Sequence, residues 1–343
     1  MRYGGLKSCF WIWKTANCEE ESKMNKARKN IILNNEISWV RKAVLGGYPQ
    51  KIMLDGKSRG NPIVICLHGG PGSPIPFSVG CRGMFPEITE KLTLVCWDQL
   101  GCGINNQTID DSFKISNFVG MTEDLVREIR RLFPENKLYL FGISWGSILA
   151  ALTASGGNVQ IDGAVTYGQV LCDMTFNDEV FAALENSGMP KSEREKLAQM
   201  KNANNAENAV KIMGYIRKYT EGYVCKSAKS ASISGMLMGL LQSPDYRFKD
   251  FAAVMVNGYR KNSSLINELM CIDLREVLSG VKVPYRIIQG DTDIVTSTKG
   301  IEDFLSGIKN ENLSFVKVKN SGHMPGEEAM GRIIGEIVKM CEK

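Results

Sequence analysis

The chain has 343 residues, of which 43% are hydrophobic and 23% are charged, and its formal net charge at pH 7 is +5. This length allows one large domain with a sizeable core, or one domain that carries an insertion. The charge is mild for the size and forms no long basic run, so we expect no binding to nucleic acid.

The ten cysteines do not form a metal-binding or disulfide pattern. Cys66 and Cys96 lie inside apolar runs, where cysteine behaves as a small hydrophobic residue. No pair has the C-x-x-C spacing of a zinc site, so we expect no metal. Free thiols in this number favour a reducing, cytoplasmic location.

The N-terminal residues 1–35 differ from the rest in composition. The apolar stretch at 6–13 is too short to span a bilayer, so we expect no stable membrane insertion. Residues 18–30 carry mixed charge and little to bury, which indicates a flexible leader or a loose helix.

Strand and helix patterns alternate from about Ile52 onward. Short apolar, β-type runs predict strands at 51–54, 62–67, 91–97, 137–141, 161–168, 284–290 and 313–318. Helical spacing of apolar residues predicts a helix at 115–133, and small residues predict another at 147–155. This alternation predicts an α/β fold, a mostly parallel sheet flanked by helices.

The strand signals stop between residues 171 and 278 and return afterwards. This stretch is rich in Lys, Glu, Asn, Ala and Met and contains several helix-like pieces. We therefore predict a helical cap at 171–278, inserted into a core formed by 36–170 and 279–343. A separate C-terminal helical domain is excluded because strands follow it.

A G-x-S-x-G pattern, Gly142 to Gly146, lies between a predicted strand and a predicted helix. A nucleophilic serine must project from a sharp strand-to-helix turn, and glycines two residues before and after it relieve the clashes of that turn. The pattern therefore predicts Ser144 as a nucleophile. The Trp145 amide, at the start of the helix, would face developing negative charge.

The motif HGGPG at 68–72 ends another predicted strand. Consecutive glycines allow a backbone N–H to approach a bound oxyanion, so we expect Gly70 and Trp145 to form a two-donor oxyanion hole. Gly69 is the alternative first donor.

Only two histidines could act as the general base, His68 and His323. His68 precedes the glycine loop, where a structural role is expected. His323 follows the last predicted strand, in a loop that can reach over the carboxyl edge of the sheet, so it is the predicted base. The third member should be a carboxylate after the preceding strand, where Asp293 is favoured and Asp291 remains an alternative.

Five motifs together resemble the prolyl iminopeptidase group of the α/β-hydrolase family. In chain order they are HGGPG, WDQLGCG, GISWGS, GDTD and SGH. The resemblance implies an α/β-hydrolase fold with a helical cap, a triad of Ser144, Asp293 and His323, and an oxyanion hole of Gly70 and Trp145. It also implies that Asp98 and Gln99, in WDQLGCG, brace the site.

The cap departs from the family's pattern. Prolyl iminopeptidases hold the substrate's amino group with cap carboxylates, often beside tryptophan, but no tryptophan of this chain lies at 171–278. Asp173, Glu179 and Asp245 are candidate acids that the sequence does not rank, so the substrate-binding residues are unknown. The Met-rich run at 234–242 fits either a pocket lining or core packing.

Three functions follow as hypotheses. The first is a serine hydrolase of aminopeptidase type that releases N-terminal residues, such as proline, from short peptides. The second is a carboxylesterase or lactonase acting on a small neutral acyl substrate, and the third is a non-catalytic ligand-binding relative. The chemistry requires no cofactor. The sequence leaves the oligomeric state open.

Overall fold

An eight-stranded sheet forms the centre of the computed structural model, which describes residues 18–227, 233–256, 259 and 262–342. The strands are β1 (Ile37–Leu45), β2 (Tyr48–Gly56), β3 (Ile63–Leu67), β4 (Thr93–Cys96), β5 (Leu138–Ile143), β6 (Gly163–Tyr167), β7 (Tyr285–Gly290) and β8 (Leu313–Val318). They pair in the order β1-β2-β4-β3-β5-β6-β7-β8. The pairs β4–β3, β3–β5, β5–β6, β6–β7 and β7–β8 are parallel, while β1–β2 and β2–β4 are antiparallel.

The helices of the described chain cover this sheet and extend over one edge of it. They are α1 (Cys18–Asn34), α2 (Pro86–Thr89), α3 (Ile115–Leu132), α4 (Trp145–Gly156), α5 (Asp178–Glu185), α6 (Lys191–Met200), α7 (Ala206–Tyr219), α8 (Ile233–Leu241), α9 (Phe248–Met255), α10 (Ser263–Met270), α11 (Arg275–Ser279), α12 (Thr298–Ser306) and α13 (Glu327–Cys341). Helices α5 to α11 all lie between β6 and β7 in sequence; we call them the cap helices.

Both faces of the sheet are buried, which is why the central strands are apolar throughout. All five residues of β3 and of β6 are buried. One apolar cluster packs α3 and α4 on one face, through residues such as Phe118 and Ile148. A second packs α13 on the other face, through Ile333 and Ile337. The predicted α/β class with a mostly parallel, helix-flanked sheet is confirmed.

The first hairpin was not predicted from the sequence. Strand β1 exposes or half-exposes Ser38, Arg41 and Lys42, so it has no continuous apolar run. Its turn to β2 is Gly46-Gly47, and both glycines have positive φ, 60° and 82°. Two consecutive residues with positive φ make the type I′ turn that suits the twist of a hairpin.

Helix α1 includes residues 18–30, for which the sequence predicted a flexible leader or a loose helix. Arg28 on this helix is buried and donates hydrogen bonds to three carbonyl oxygens, those of Gly80, Arg82 and Gly239. The helix therefore contacts both the core and cap helix α8. The apolar stretch at 6–13 lies outside the described residues.

Two further features concern the described residues alone. Eight described cysteines are free thiols, and no group of three or more His, Cys, Asp or Glu side chains there could hold a metal ion. No helix of the described ranges is both long and apolar enough to cross a membrane. The division into a core, 36–170 and 279–343, and an inserted helical cap, 171–278, stays a prediction.

Candidate active site

Ser144 lies on a strained turn between β5 and α4. Its φ is 51° and its ψ is −116°, a conformation that L residues rarely adopt. A Cβ added at Gly142 would lie 2.4 Å from the Gly146 carbonyl oxygen, and one added at Gly146 would lie 1.9 Å from the Leu67 carbonyl oxygen. Both flanking glycines are therefore required by close backbone contacts, and the turn holds the Ser144 hydroxyl above the carboxyl edge of the sheet.

His323 and Asp293 meet Ser144 although they are far away in sequence. The His323 Nε2 atom lies 3.0 Å from Ser144 Oγ, and its Nδ1 lies 2.9 Å from Asp293 Oδ2. Asp293 is 1% exposed. Because the buried carboxylate faces Nδ1, the proton belongs on Nδ1 and Nε2 is free to accept the serine proton.

Asp293 is oriented by neighbours in its own loop. Its Oδ1 accepts hydrogen bonds from the Val295 and Thr296 amides, at 2.8 and 3.1 Å, and its Oδ2 accepts one from the Thr296 hydroxyl at 2.8 Å. The alternative, Asp291, is exposed and accepts a hydrogen bond from the Ser321 amide. Asp291 thus ties the histidine loop to the end of β7, and of the two carboxylates Asp293 is the one that contacts the imidazole.

The predicted oxyanion donors lie beside Ser144. Trp145 is the first residue of α4, where backbone N–H groups have no partner within the helix. Gly69 and Gly70 line the same cavity as Ser144. A Cβ added at Gly69 would lie 3.5 Å from Ser144 Cβ, while Gly70 has a φ of 120° that only glycine adopts readily. Gly69 and Gly70 both remain candidates for the first donor.

His68 and Gln99 hold the glycine loop against the elbow. The His68 Nε2 accepts a hydrogen bond from the Gln99 amide at 3.0 Å, and Gln99 Oε1 accepts one from Trp145 Nε1 at 2.8 Å. Burial lowers the pKa of His68 to about 4, so this ring is neutral at pH 7. These contacts agree with the structural role predicted for His68 and the bracing role predicted for Gln99.

Asp98 connects the loop after β4 to the segment between cap helices α8 and α9. It accepts hydrogen bonds from the Val79 and Ile104 amides, each at 2.9 Å, and from the hydroxyl of Tyr246, between α8 and α9. Burial raises the pKa of Asp98 to about 6. Asp98 thus holds the loop after β4 and accepts a hydrogen bond from the segment between cap helices α8 and α9.

A cavity of about 340 Å³ opens onto Ser144 and His323. Five methionines line it: Met174, Met213, Met236, Met324 and Met330. Among the described residues that line the cavity, Arg217 is the one cationic side chain besides His323. The same residues include no Asp or Glu. The predicted Met-rich run thus contributes Met236 to the cavity.

None of the three candidate amine-binding acids lines this cavity. Asp245 forms a salt bridge with Arg82, at 2.7 Å. Glu179 accepts a hydrogen bond from Ser297, at 2.6 Å, and Asp173 is exposed. Their positions give no support to an ammonium-binding role.

Several residues around the triad were not predicted from the sequence. The Tyr167 hydroxyl hydrogen-bonds Ser321 Oγ at 2.7 Å, which fixes the loop before His323. The Tyr223 ring lies 6.0 Å from the His323 ring, and the Met324 amide donates to the Tyr223 carbonyl. Only Thr296 had a usable signal, because it closely follows the predicted aspartate.

The fold and this site define an α/β hydrolase. The sequence model of the α/β hydrolase fold matches residues 62–329, and the chain belongs to that family.

Its relatives are prolyl iminopeptidase-like, as the motifs predicted. The chain is 25% identical over 317 residues to the probable aminopeptidase YbaC of Bacillus subtilis (strain 168), which covers 87% of this chain and 92% of that protein. It is 35% identical over 121 residues to the proline iminopeptidase of Neisseria gonorrhoeae, over 33% of this chain and 35% of that one. The crystal structure of the proline iminopeptidase of Mycobacterium smegmatis has a TM-score of 0.60 at 14% identity, covering 89% and 98% of the two chains. That likeness concerns the fold alone.

Proposed function

We propose that this protein is a serine hydrolase with Ser144 as nucleophile, His323 as general base and Asp293 as the orienting carboxylate. The observation that carries the proposal is the continuous contact from Ser144 Oγ to His323 and on to Asp293, at 3.0 and 2.9 Å, where Ser144 and His323 line the cavity. Membership in a hydrolase family whose relatives include named aminopeptidases supports an enzyme.

The mechanism is acyl transfer in two steps. His323 takes the proton of Ser144 as the hydroxyl oxygen attacks a substrate carbonyl, and the oxyanion is stabilised by the Trp145 amide and by Gly70 or Gly69. His323 then protonates the leaving group, which departs. A water molecule repeats the sequence on the acyl-enzyme and releases the acid. Asp293 keeps its charge throughout and stabilises the imidazolium.

The first substrate class is a short peptide with a free N-terminus, as in an aminopeptidase that releases residues such as proline. The named relatives support this class. The apolar lining suits a proline or aliphatic side chain.

The second substrate class is a small ester or lactone. It is favoured by the described lining of the cavity, which offers no carboxylate for a substrate ammonium group. Placing an ammonium against methionine side chains without a partner would cost several kcal/mol of desolvation, on the order given for unpaired buried charges.

The test compares wild type and Ser144→Ala on prolyl, alanyl and leucyl arylamides and on short-chain 4-nitrophenyl esters. Arylamide cleavage that is lost in the variant supports the aminopeptidase, and ester cleavage alone supports the esterase. Turnover that persists in Ser144→Ala would overturn the proposed nucleophile. A folded protein that is inactive on all substrates would favour the non-catalytic ligand-binding relative. A cytoplasmic location accompanies the proposal as a prediction.

A further inference from the structure

The described lining of the cavity includes a cationic side chain, Arg217, whose role the proposed mechanism does not explain. Arg217 lies in the last turn of cap helix α7 and lines the cavity together with Tyr223 and Val224. The triad needs no guanidinium, since His323 and Asp293 complete the proton transfer by themselves. Arg217 is solvent-exposed, and it places a positive charge beside a described lining that is mainly apolar.

The guanidinium of Arg217 contacts Tyr223 and has no carboxylate partner among the residues that the structure describes. Its Cζ atom lies 4.2 Å from the centroid of the Tyr223 ring, and its Nη2 donates to the Tyr223 hydroxyl at 2.9 Å. Within the described residues no carboxylate forms a salt bridge with it, whereas the neighbouring Lys218 pairs with Glu193 at 3.3 Å. Stacking fixes the plane of the guanidinium and leaves most of its five N–H donors for another partner.

Tyr223 also connects this cation to the catalytic centre. Its ring centroid lies 6.0 Å from that of His323, so a single aromatic ring separates the Arg217 guanidinium from the general base. Ser144, Tyr223 and Arg217 line one cavity, so a substrate held at Ser144 shares that space with the guanidinium. Other residues of the same described lining, such as Met330 and Ile333, are apolar.

We propose that Arg217 is a specificity-determining residue that binds a carboxylate of the substrate, while the methionine-lined part of the cavity takes an apolar group. This inference rests on the proposed function, because it assigns the substrate class of the same site. A planar, preorganised guanidinium pairs with a carboxylate through two parallel hydrogen bonds. The carboxylate belongs either to the acyl group of an ester or to the leaving residue of a short peptide, such as the C-terminus of a dipeptide.

The experiment uses two matched substrate pairs that separate these sources. One pair is mono-4-nitrophenyl glutarate and 4-nitrophenyl butyrate, which differ by an acyl carboxylate. The other is alanyl-alanine and alanyl-alaninamide, which differ by a leaving-group carboxylate. Wild type should prefer the acidic member of one pair in kcat/KM, and the pair that responds identifies the source.

Arg217→Gln should lower kcat/KM for the preferred acidic substrate by about 10- to 100-fold, the range of a lost charge-assisted hydrogen bond, mainly through KM. The neutral member should change by no more than about twofold. Arg217→Lys should restore part of the preference. Lys218→Gln is the matched control, because it removes the same charge one position along the helix and outside the cavity, and it should keep the full preference.

Two results would overturn the subsite while leaving the proposed function intact. One is Ser144-dependent turnover with no preference in either pair. The other is an equal loss on acidic and neutral substrates in Arg217→Gln, which indicates a structural role through Tyr223.

Failure of the proposed function is recognised separately, by absence of turnover together with no reaction of Ser144 with a fluorophosphonate. Whether Arg217 binds a carboxylate is then tested by the binding of a ligand. 4-Phenylbutyrate, compared with 4-phenylbutyramide, should raise the melting temperature of wild type and not that of Arg217→Gln. Equal effects on both proteins would overturn the subsite.

Discussion

Replacing Gly146 by alanine should destabilise the protein strongly, although the change adds one methyl group. The added Cβ would lie 1.9 Å from the Leu67 carbonyl oxygen and 2.9 Å from that of His68. Real contacts of this kind lie beyond 3.0 Å, so one of the two backbones has to move.

The obstacle is backbone of the central sheet, which makes the movement costly. Leu67 ends β3, which pairs with β4 on one side and β5 on the other. Overpacking of a well-packed site costs about 1–3 kcal/mol and occasionally more, and we expect Gly146→Ala at about 3 kcal/mol or above because no flexible side chain can yield.

A glycine-to-alanine substitution in α3 is the control, and it should change the stability of the protein in the opposite direction. A Cβ added at Gly120 meets nothing within 4 Å, and the residue lies inside a helix. Gly120→Ala should therefore stabilise the protein by about 0.5–1 kcal/mol, the helix preference of alanine over glycine. Urea unfolding of both variants, followed by far-UV circular dichroism and by tryptophan fluorescence, measures the two effects. A Gly146→Ala protein as stable as wild type would refute the close packing of the elbow against β3.

Three further substitutions test the buried polar groups. Burial raises the pKa of Asp98 to about 6, so the native state holds a proton that the unfolded state releases near pH 4. Stability should therefore fall by about 2 kcal/mol as pH rises from 4 to 7, and Asp98→Asn should remove this loss. Burial lowers the pKa of His68 to about 4, so the neutral ring contributes its full stabilisation above pH 6.5. About 3 kcal/mol of the free energy of unfolding should be lost as pH falls toward 4, and His68→Gln should abolish that pH dependence. Arg28→Ala should cost about 3 kcal/mol, because three carbonyls lose their donor, while Lys29→Ala, at an exposed neighbour, should stay within about 0.5 kcal/mol.

Each of these has a direct readout. Urea unfolding between pH 4 and 8 gives the two pH slopes, and a slope unchanged by its substitution contradicts the assigned group. For Arg28→Ala, hydrogen exchange should accelerate in α8, which Arg28 contacts at Gly239. Equal protection of α8 in the Arg28 and Lys29 variants would show that α1 does not hold the cap helix.

The elbow could be predicted from sequence because its constraints are local. Gly142, Ser144 and Gly146 lie within five residues, and the turn dictates their types whatever the rest of the chain does. The choice of Asp293 over Asp291 depended on the loop after β7, whose geometry places one carboxylate on the imidazole and the other on the Ser321 amide.

The substrate cavity could not be predicted in the same way. Arg217 lies on cap helix α7 and Tyr223 follows that helix, and nothing near them in sequence indicates that they approach the cavity of His323. Their position follows from how the cap helices pack over the sheet, which depends on contacts such as Tyr246 with Asp98 and Arg82 with Asp245. Strand β1 was missed for a different reason, because a half-exposed edge strand shows no continuous apolar pattern.

The most direct test of the central claim is to treat the protein with a fluorophosphonate and locate the adduct by peptide mass spectrometry. We expect one adduct, on Ser144, that is absent in Ser144→Ala and forms much more slowly in His323→Ala, because the hydroxyl then lacks its base. Modification of another residue, or labelling of Ser144 that is unaffected by loss of His323, would contradict the proposed triad.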